Sequence, residues 1–178
     1  LVFAALSDPP GWDASWYGTV HGWDARGLTE FLKGIGWLGD FRTALVCELG
    51  LIAGLLARRL FRYAGVLALS GILELLYQGL KEFIGRERPD ILVKAGTDSF
   101  PSGHVFHSVV FFGLLLAIAS PFVPQWWARG GLVGLYLLLV ISMGFSRVHL
   151  GYHWPTDVLG GYLLAVPTLS LVLWVRAR

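Results

Sequence analysis

Three short stretches concentrate the residues able to handle a phosphate group. The first runs from Lys81 to Pro89 and places Arg88 seven residues after Lys81. The second is Pro101, Ser102, Gly103 and His104, and the third joins Ser146 and Arg147 to His153 and Asp157. Lys81, Arg88 and Arg147 supply three cations, two of them forked guanidiniums that match phosphate oxygens. Ser102 and Gly103 precede an apolar run, so backbone N–H groups at the start of that helix would face an anion. A pentavalent phosphorus centre would gain more from these donors than the ground state does. His104 and His153 offer a proton donor and a nucleophile near neutral pH. Asp157, four residues after His153, is within reach of one ring nitrogen, which would leave the other free to attack phosphorus.

Such a site exists only if separate elements bring the three stretches to one place. The composition indicates which elements. Of the 178 residues, 55% are hydrophobic and only 15% charged, against about 25% charged in a soluble domain. Mean hydropathy is +0.62. A water-facing globule could not be covered with so little polar surface, so the bilayer is the expected surrounding. The net charge of +2 argues against a nucleic-acid partner. A single cysteine, Cys47, rules out an intrachain disulfide and a cysteine-based metal cluster.

Five stretches have the apolarity and length to cross a bilayer: 41–57, 62–84, 103–119, 131–145 and 156–175. The expected fold is therefore all-α, a polytopic transmembrane helix bundle forming one membrane-embedded domain over 1–178. The apolar stub Leu1 to Leu6 is read as the end of a truncated first helix, with the remnant of a signal segment as the alternative, giving five full spans plus that stub. Between the stub and the first span, 7–38 is rich in aromatics, including Trp12, Trp16, Trp23 and Trp37. Leu28, Phe31, Leu32 and Ile35 recur at helical spacing, with Arg26, Glu30 and Lys33 on other faces, which predicts an interfacial amphipathic helix.

Threading five spans puts Arg58, Arg59 and Arg62, then Arg129, then Arg176 and Arg178 on one side, the cytoplasmic side by the positive-inside tendency. The three phosphate-handling stretches then fall together on the opposite face. Basic residues there, including Arg86 and Lys94, belong to the chemical stretches or are offset by Glu82, Glu87, Asp90 and Asp98.

In these three stretches the sequence resembles the type 2 phosphatidic acid phosphatase superfamily. Its motifs, Lys-x6-Arg-Pro, Pro-Ser-Gly-His and Ser-Arg-x5-His-x3-Asp, are all present without substitution at Lys81 to Pro89, Pro101 to His104 and Ser146 to Asp157. The resemblance implies an integral membrane lipid phosphate phosphatase. His153 would be the nucleophile, forming a phosphohistidine, and Asp157 its orienting partner. His104 would protonate the leaving alkoxide and then activate water. Lys81, Arg88, Ser102, Gly103 and Arg147 would bind the phosphate. It implies no metal and no other cofactor, no obligate protein partner, and a bacterial plasma-membrane enzyme whose site faces the exterior. Undecaprenyl diphosphate, phosphatidylglycerol phosphate and phosphatidate are the implied substrates, the first favoured. A phosphotransferase with the same intermediate and a non-enzymatic lipid or anion carrier are the alternatives. A soluble acid phosphatase or vanadium haloperoxidase shares the motifs but lacks five apolar spans.

Other polar residues receive structural readings. His107 is expected to be a packed or hydrogen-bonded core histidine, His149 a structural or substrate-contact residue, and His21 an uninformative member of the interfacial segment. Glu48 and Glu74 lie inside apolar spans, where an unpaired carboxylate costs at least about 2.5 kcal/mol, so each should have a partner. Gly50 with Gly54, and Gly130 with Gly134, have the spacing that permits close helix approach.

Overall fold

A computed structural model describes residues 8–23, 25–89 and 98–177. Leu1 to Leu6, Asp90, Lys94 and Arg178, used in the sequence reading, lie outside the described residues. The described chain is helical: α1 (Gly11–His21), α2 (Arg26–Leu38), α3 (Phe41–Ala57), α4 (Phe61–Ile84), α5 (Gly103–Ala119), a 3-10 turn (Ser120–Phe122), α6 (Trp126–His149) and α7 (Pro155–Ala177).

Among the described residues, four helices are long and apolar enough to cross a membrane: α4, α5 with its 3-10 extension, α6 and α7. The protein is an integral membrane protein. The first expected span, 41–57, coincides with α3, whose 17 residues give an axial length of about 25 Å, short of a hydrocarbon core of about 30 Å; α3 is not among the four. Hydropathy placed the fourth expected span at 131–145, but α6 runs from Trp126 to His149. Apolarity marks the oily middle of a helix, whereas backbone hydrogen bonding continues into its polar ends. The consequence is that Ser146 and Arg147 sit on a helix instead of in a loop.

Local chemistry sets the helix ends that matter. Asp40 caps α3, its carboxylate accepting from the N–H groups of Arg42 and Thr43. Gly85, at φ 66°, closes α4 in the left-handed conformation that glycine adopts without penalty. That turn sends Arg86 and Arg88 back toward the bundle. Pro155 opens α7, where its missing N–H is no loss.

The core forms around α5. Its Phe106, Val109, Val110 and Leu114 pack with Val66 and Leu67 of α4, Val140 of α6, and Ala165 and Val172 of α7. Helices in lipid associate through close packing and interhelical polar contacts. A Cβ at Gly161 of α7 would lie 2.9 Å from the Ser102 carbonyl oxygen, and one at Gly160 would lie 2.5 Å from the Phe100 ring. These glycines let the start of α7 press against the start of α5. The Gly50/Gly54 and Gly130/Gly134 pairs do not perform this function: a Cβ at any of the four would meet nothing within 4 Å.

Both intramembrane carboxylates have partners. Glu48 accepts from Ser70 Oγ at 2.9 Å, and Glu74 Oε2 lies 2.8 Å from His107 Nδ1. The structural readings of Glu48, Glu74 and His107 hold. At the same end of the bundle as Arg62, that residue's guanidinium donates to the carbonyl of Arg176, and Arg176 donates to the carbonyl of Ala117 at 2.7 Å. The ends of α5 and α7 thus meet the start of α4 on one side. The end of α4, the start of α5, the end of α6 and the start of α7 meet on the other.

Candidate active site

His153 stands in the short turn between α6 and α7 and is 1% exposed. Its backbone N–H donates to the carbonyl of Arg147 at 3.2 Å, as does that of Tyr152 at 3.0 Å, so the end of α6 holds the turn. Nδ1 of His153 is 3.4 Å from Asp157 Oδ2. The other ring nitrogen, Nε2, is 3.5 Å from Arg88 Nη1. With the Nδ1 proton directed to the carboxylate, the Nε2 lone pair points toward Arg88 and the cavity. Burial first, then the charges of Lys81, Arg88 and Arg147, press the His153 pKa well below its ordinary value of 6.5. The imidazole is therefore neutral at pH 7, the form a nucleophile requires.

This depression sets the sign of a pH effect. Protonation of His153 would remove the lone pair, and in the free enzyme it occurs only well below pH 6.5. If His153 is the nucleophile, its protonation does not limit kcat/KM between pH 7 and pH 6.5, and the acid limb it sets lies lower still. A half-maximal point at or above pH 6.5 in a kcat/KM titration would contradict this assignment of the limb.

A cavity of about 420 Å³ opens above the imidazole, lined by His153, His104, Arg88, Arg147, Tyr152 and, from α2, Gly36 and Trp37, among others. Arg88 is anchored by donation to the carbonyl of Tyr152 at 2.6 Å, and burial lowers its pKa below the ordinary guanidinium value. Arg147 donates to Ser146 Oγ at 3.1 Å, and its guanidinium lies 5.0 Å from the centre of the Tyr152 ring. Four of the eight expected site residues thus share one cavity wall. Asp157 lies directly behind His153. Lys81 is buried in the last turn of α4 and reaches His153 through its charge without lining the cavity.

Ser102 caps the start of α5, and neither it nor Gly103 is among the residues lining the cavity. The Ser102 N–H donates to the carbonyl of Asp157 at 3.0 Å. Its hydroxyl is buried and has no partner among the described residues. A Cβ at Gly103 would face Gln78 at 3.6 Å.

Gly36 carries a site function that its sequence neighbourhood gave no sign of. A Cβ there would fall 1.9 Å from Arg147 Nη2 and 2.9 Å from Cζ. The bare backbone of α2 is what lets the guanidinium reach the cavity. Gly36→Ala is expected to displace Arg147 while leaving the helices intact. Losing one charged hydrogen bond of about 1.5–3 kcal/mol should raise the inhibition constant for inorganic phosphate by roughly 10- to 100-fold. Titration of the purified variant with phosphate checks this; an unchanged constant refutes it.

The remaining histidines have structural partners. His149 is no rival nucleophile: its Nδ1 is 3.1 Å from the carbonyl of Val20 and its Nε2 is 2.9 Å from Thr29 Oγ1. His21, read as uninformative, in fact stacks on Tyr17 and approaches the carbonyl of His149 at 2.9 Å. Through these contacts α1 and α2 are fastened to the end of α6.

A profile of the PAP2 superfamily matches residues 59–178. The chain belongs to this superfamily. Phosphatidylglycerophosphatase B of Bacillus subtilis is 33% identical over 151 residues, 82% of this chain and 73% of that protein. Decaprenylphosphoryl-5-phosphoribose phosphatase of Mycobacterium tuberculosis is 33% identical over 178 residues, 96% of this chain and 84% of that protein. The crystal structure of a transmembrane PAP2-type phosphatidylglycerolphosphate phosphatase from Bacillus subtilis has a TM-score of 0.82 at 28% identity. That match covers 96% of this chain and 89% of the other. Membership in the PAP2 superfamily makes this chain a phosphatase.

Proposed function

We propose that this PAP2 protein hydrolyses a lipid phosphomonoester or diphosphate at the non-cytoplasmic face of the membrane, through a phosphohistidine on His153. The observation that carries the reading is the buried, neutral His153 with Asp157 at one ring nitrogen and a guanidinium-lined cavity at the other. The Nε2 lone pair attacks phosphorus and the bond to the lipid oxygen breaks. His104 gives that oxygen a proton. Neutral His104 then takes a proton from water, the water oxygen attacks phosphorus, and the N–P bond breaks to release phosphate and restore neutral His153. Through both steps the Nδ1 proton stays between His153 and Asp157. Arg88 and Arg147 line the cavity, Lys81 adds charge from behind, and Ser102 with Gly103 contributes donors at the start of α5. Together they stabilise the charge that gathers on the equatorial oxygens. On this reading the protein's own cations supply the charge stabilisation, and the reaction proceeds without a metal.

The arginines at the far end, Arg58, Arg59, Arg62, Arg129 and Arg176, support a cytoplasmic location for that end. The site, at the other end of α4 to α7, would then lie at the opposite surface, the outer face of a bacterial plasma membrane. In this placement α1 and α2 lie in the headgroup layer, with Trp12, Trp16, Trp23 and Trp37 exposed toward it. The relatives' names point to glycerolipid and polyprenyl-linked phosphates as the substrate range.

The test is a phosphate-release panel in bilayers, comparing undecaprenyl diphosphate, phosphatidylglycerol phosphate and phosphatidate, with and without a chelator. Release from at least one of them, unaffected by the chelator, is the expected result. Phosphorylated alcohol in place of free phosphate would identify a phosphotransferase. Binding without turnover, insensitive to Asp157→Asn, would identify a carrier.

A further inference from the structure

The carboxylate behind His153 is held by a chain of contacts from residues that the three motifs leave unspecified. Arg86, 2% exposed, donates from Nη1 to Asp157 Oδ1 at 2.9 Å and to Thr156 Oγ1 at 2.7 Å. Its guanidinium lies 4.7 Å from the centre of the Phe100 ring, and its carbonyl accepts the Ser99 N–H at 2.7 Å. The second carboxylate oxygen of Asp157 has different work: it accepts the Trp154 N–H at 2.9 Å and faces His153 Nδ1. Each oxygen is thus committed to its own partners, and the carboxylate cannot turn about its bond without breaking both sets.

The chain continues to α1. Asp13 is fully buried. Its Oδ1 accepts the Thr156 N–H at 2.9 Å, and its Oδ2 accepts the Thr156 hydroxyl proton in a short contact. A hydroxyl has one hydrogen. With that hydrogen given to Asp13, a lone pair of Thr156 Oγ1 is turned toward Arg86. Asp13 lies outside the span 59–178 that matches the superfamily profile, so a helix beyond the matched region fixes the direction of a hydrogen bond next to the catalytic pair.

We propose that Arg86, buttressed by Asp13 through Thr156, is a positioning residue that holds Asp157 ionised and oriented for His153. The inference rests on the reading of His153 as nucleophile. Arg86 does not line the cavity, so it acts on the imidazole and not on the phosphate. The charged and titratable groups around Asp157 are Arg86, the neutral imidazole of His153, and more distantly Lys81 and Arg88. Among the described residues, Arg86 is the cation that forms an ion pair with the carboxylate, at 2.9 Å. Without it Asp157 would take up a proton at higher pH, and a protonated carboxyl no longer holds the Nδ1 proton of His153.

The experiment compares Arg86→Gln, Arg86→Lys and Asp13→Asn with the unaltered full chain in bilayers, on a lipid phosphate that it turns over. For Arg86→Gln, kcat should fall about 100-fold. KM and the inhibition constant for inorganic phosphate should stay within about twofold, and the acid limb of kcat/KM should move to higher pH. Arg86→Lys should recover a good part of kcat, and Asp13→Asn should shift the limb the same way by a smaller amount. A merely structural role lowers the amount of active enzyme but leaves the pH profile of the remaining activity in place. An unmoved acid limb in both Arg86→Gln and Asp13→Asn, or a phosphate constant that rises with the fall in kcat, overturns the proposal. If Arg86→Gln does not fold, Asp13→Asn decides alone. Activity surviving in His153→Ala would instead defeat the reading of the site on which the proposal rests.

Discussion

His153→Ala is expected to abolish phosphate release from every lipid phosphate, with kcat falling by about 10⁶-fold, the scale seen when a covalent catalyst loses its nucleophile. Among the described residues, the one other histidine on the cavity wall is His104, which serves proton transfer in the proposed reaction. His149 is engaged by Val20 and Thr29, and His107 by Glu74. The loss should not come from unfolding. With the imidazole removed, Asp157 keeps Arg86 on one oxygen and the Trp154 N–H on the other, so no unpaired buried charge is created. Arg88 and Arg147 also keep their anchors on Tyr152 and Ser146. The variant should therefore still bind inorganic phosphate while forming no labelled phosphoenzyme when mixed with substrate and quenched in alkali. Turnover within tenfold of the unaltered enzyme would end the phosphohistidine reading.

What could be read from the sequence, and what could not, divides along the range of the interactions. The lengths of α3, α4 and α5 follow from hydropathy, and Gly103 is the first residue of α5 as expected. That His153, His104, Arg88 and Arg147 converge follows from threading helix ends to one side of a bilayer, which requires no tertiary information. Arg86 is one of the spacer residues of the first motif, to which the motif itself gives no role. Its role depends on the left-handed turn at Gly85 and on Phe100, Thr156 and Asp13, which come from three distant parts of the chain. Asp13 sits in an aromatic-rich segment whose pattern says "surface", yet it is among the most buried residues. A carboxylate of that kind is invisible to periodicity, because α1 has no polar stripe to contrast it with. Gly36 is similar: it ends no helix and makes no turn, and its value appears only when Arg147 is seen to pass over it.

His104→Ala is the second variant with a large expected effect, and its size should depend on what leaves. His104 lies in the first turn of α5, its carbonyl tied to Ser108 Oγ at 2.7 Å, and its side chain lines the cavity beside His153. In the proposed reaction it donates a proton to the leaving oxygen. For a phosphomonoester lipid that oxygen departs as a strongly basic alkoxide, and the loss should be about 10²- to 10⁴-fold, the usual worth of a positioned general acid. A lipid diphosphate releases a far less basic lipid phosphate, so its first step should suffer less. With an aryl phosphate such as p-nitrophenyl phosphate the leaving group needs no proton, and the first step should be close to normal. The second step still needs His104 to take a proton from water. The variant should then show a burst of nitrophenolate, near one per enzyme, followed by slow turnover as the phosphohistidine accumulates. If His104 only bound the phosphate, all three substrates would lose rate alike and no burst would appear. Stopped-flow measurement with the aryl substrate separates the two cases, and a uniform loss without a burst would remove His104 from proton transfer.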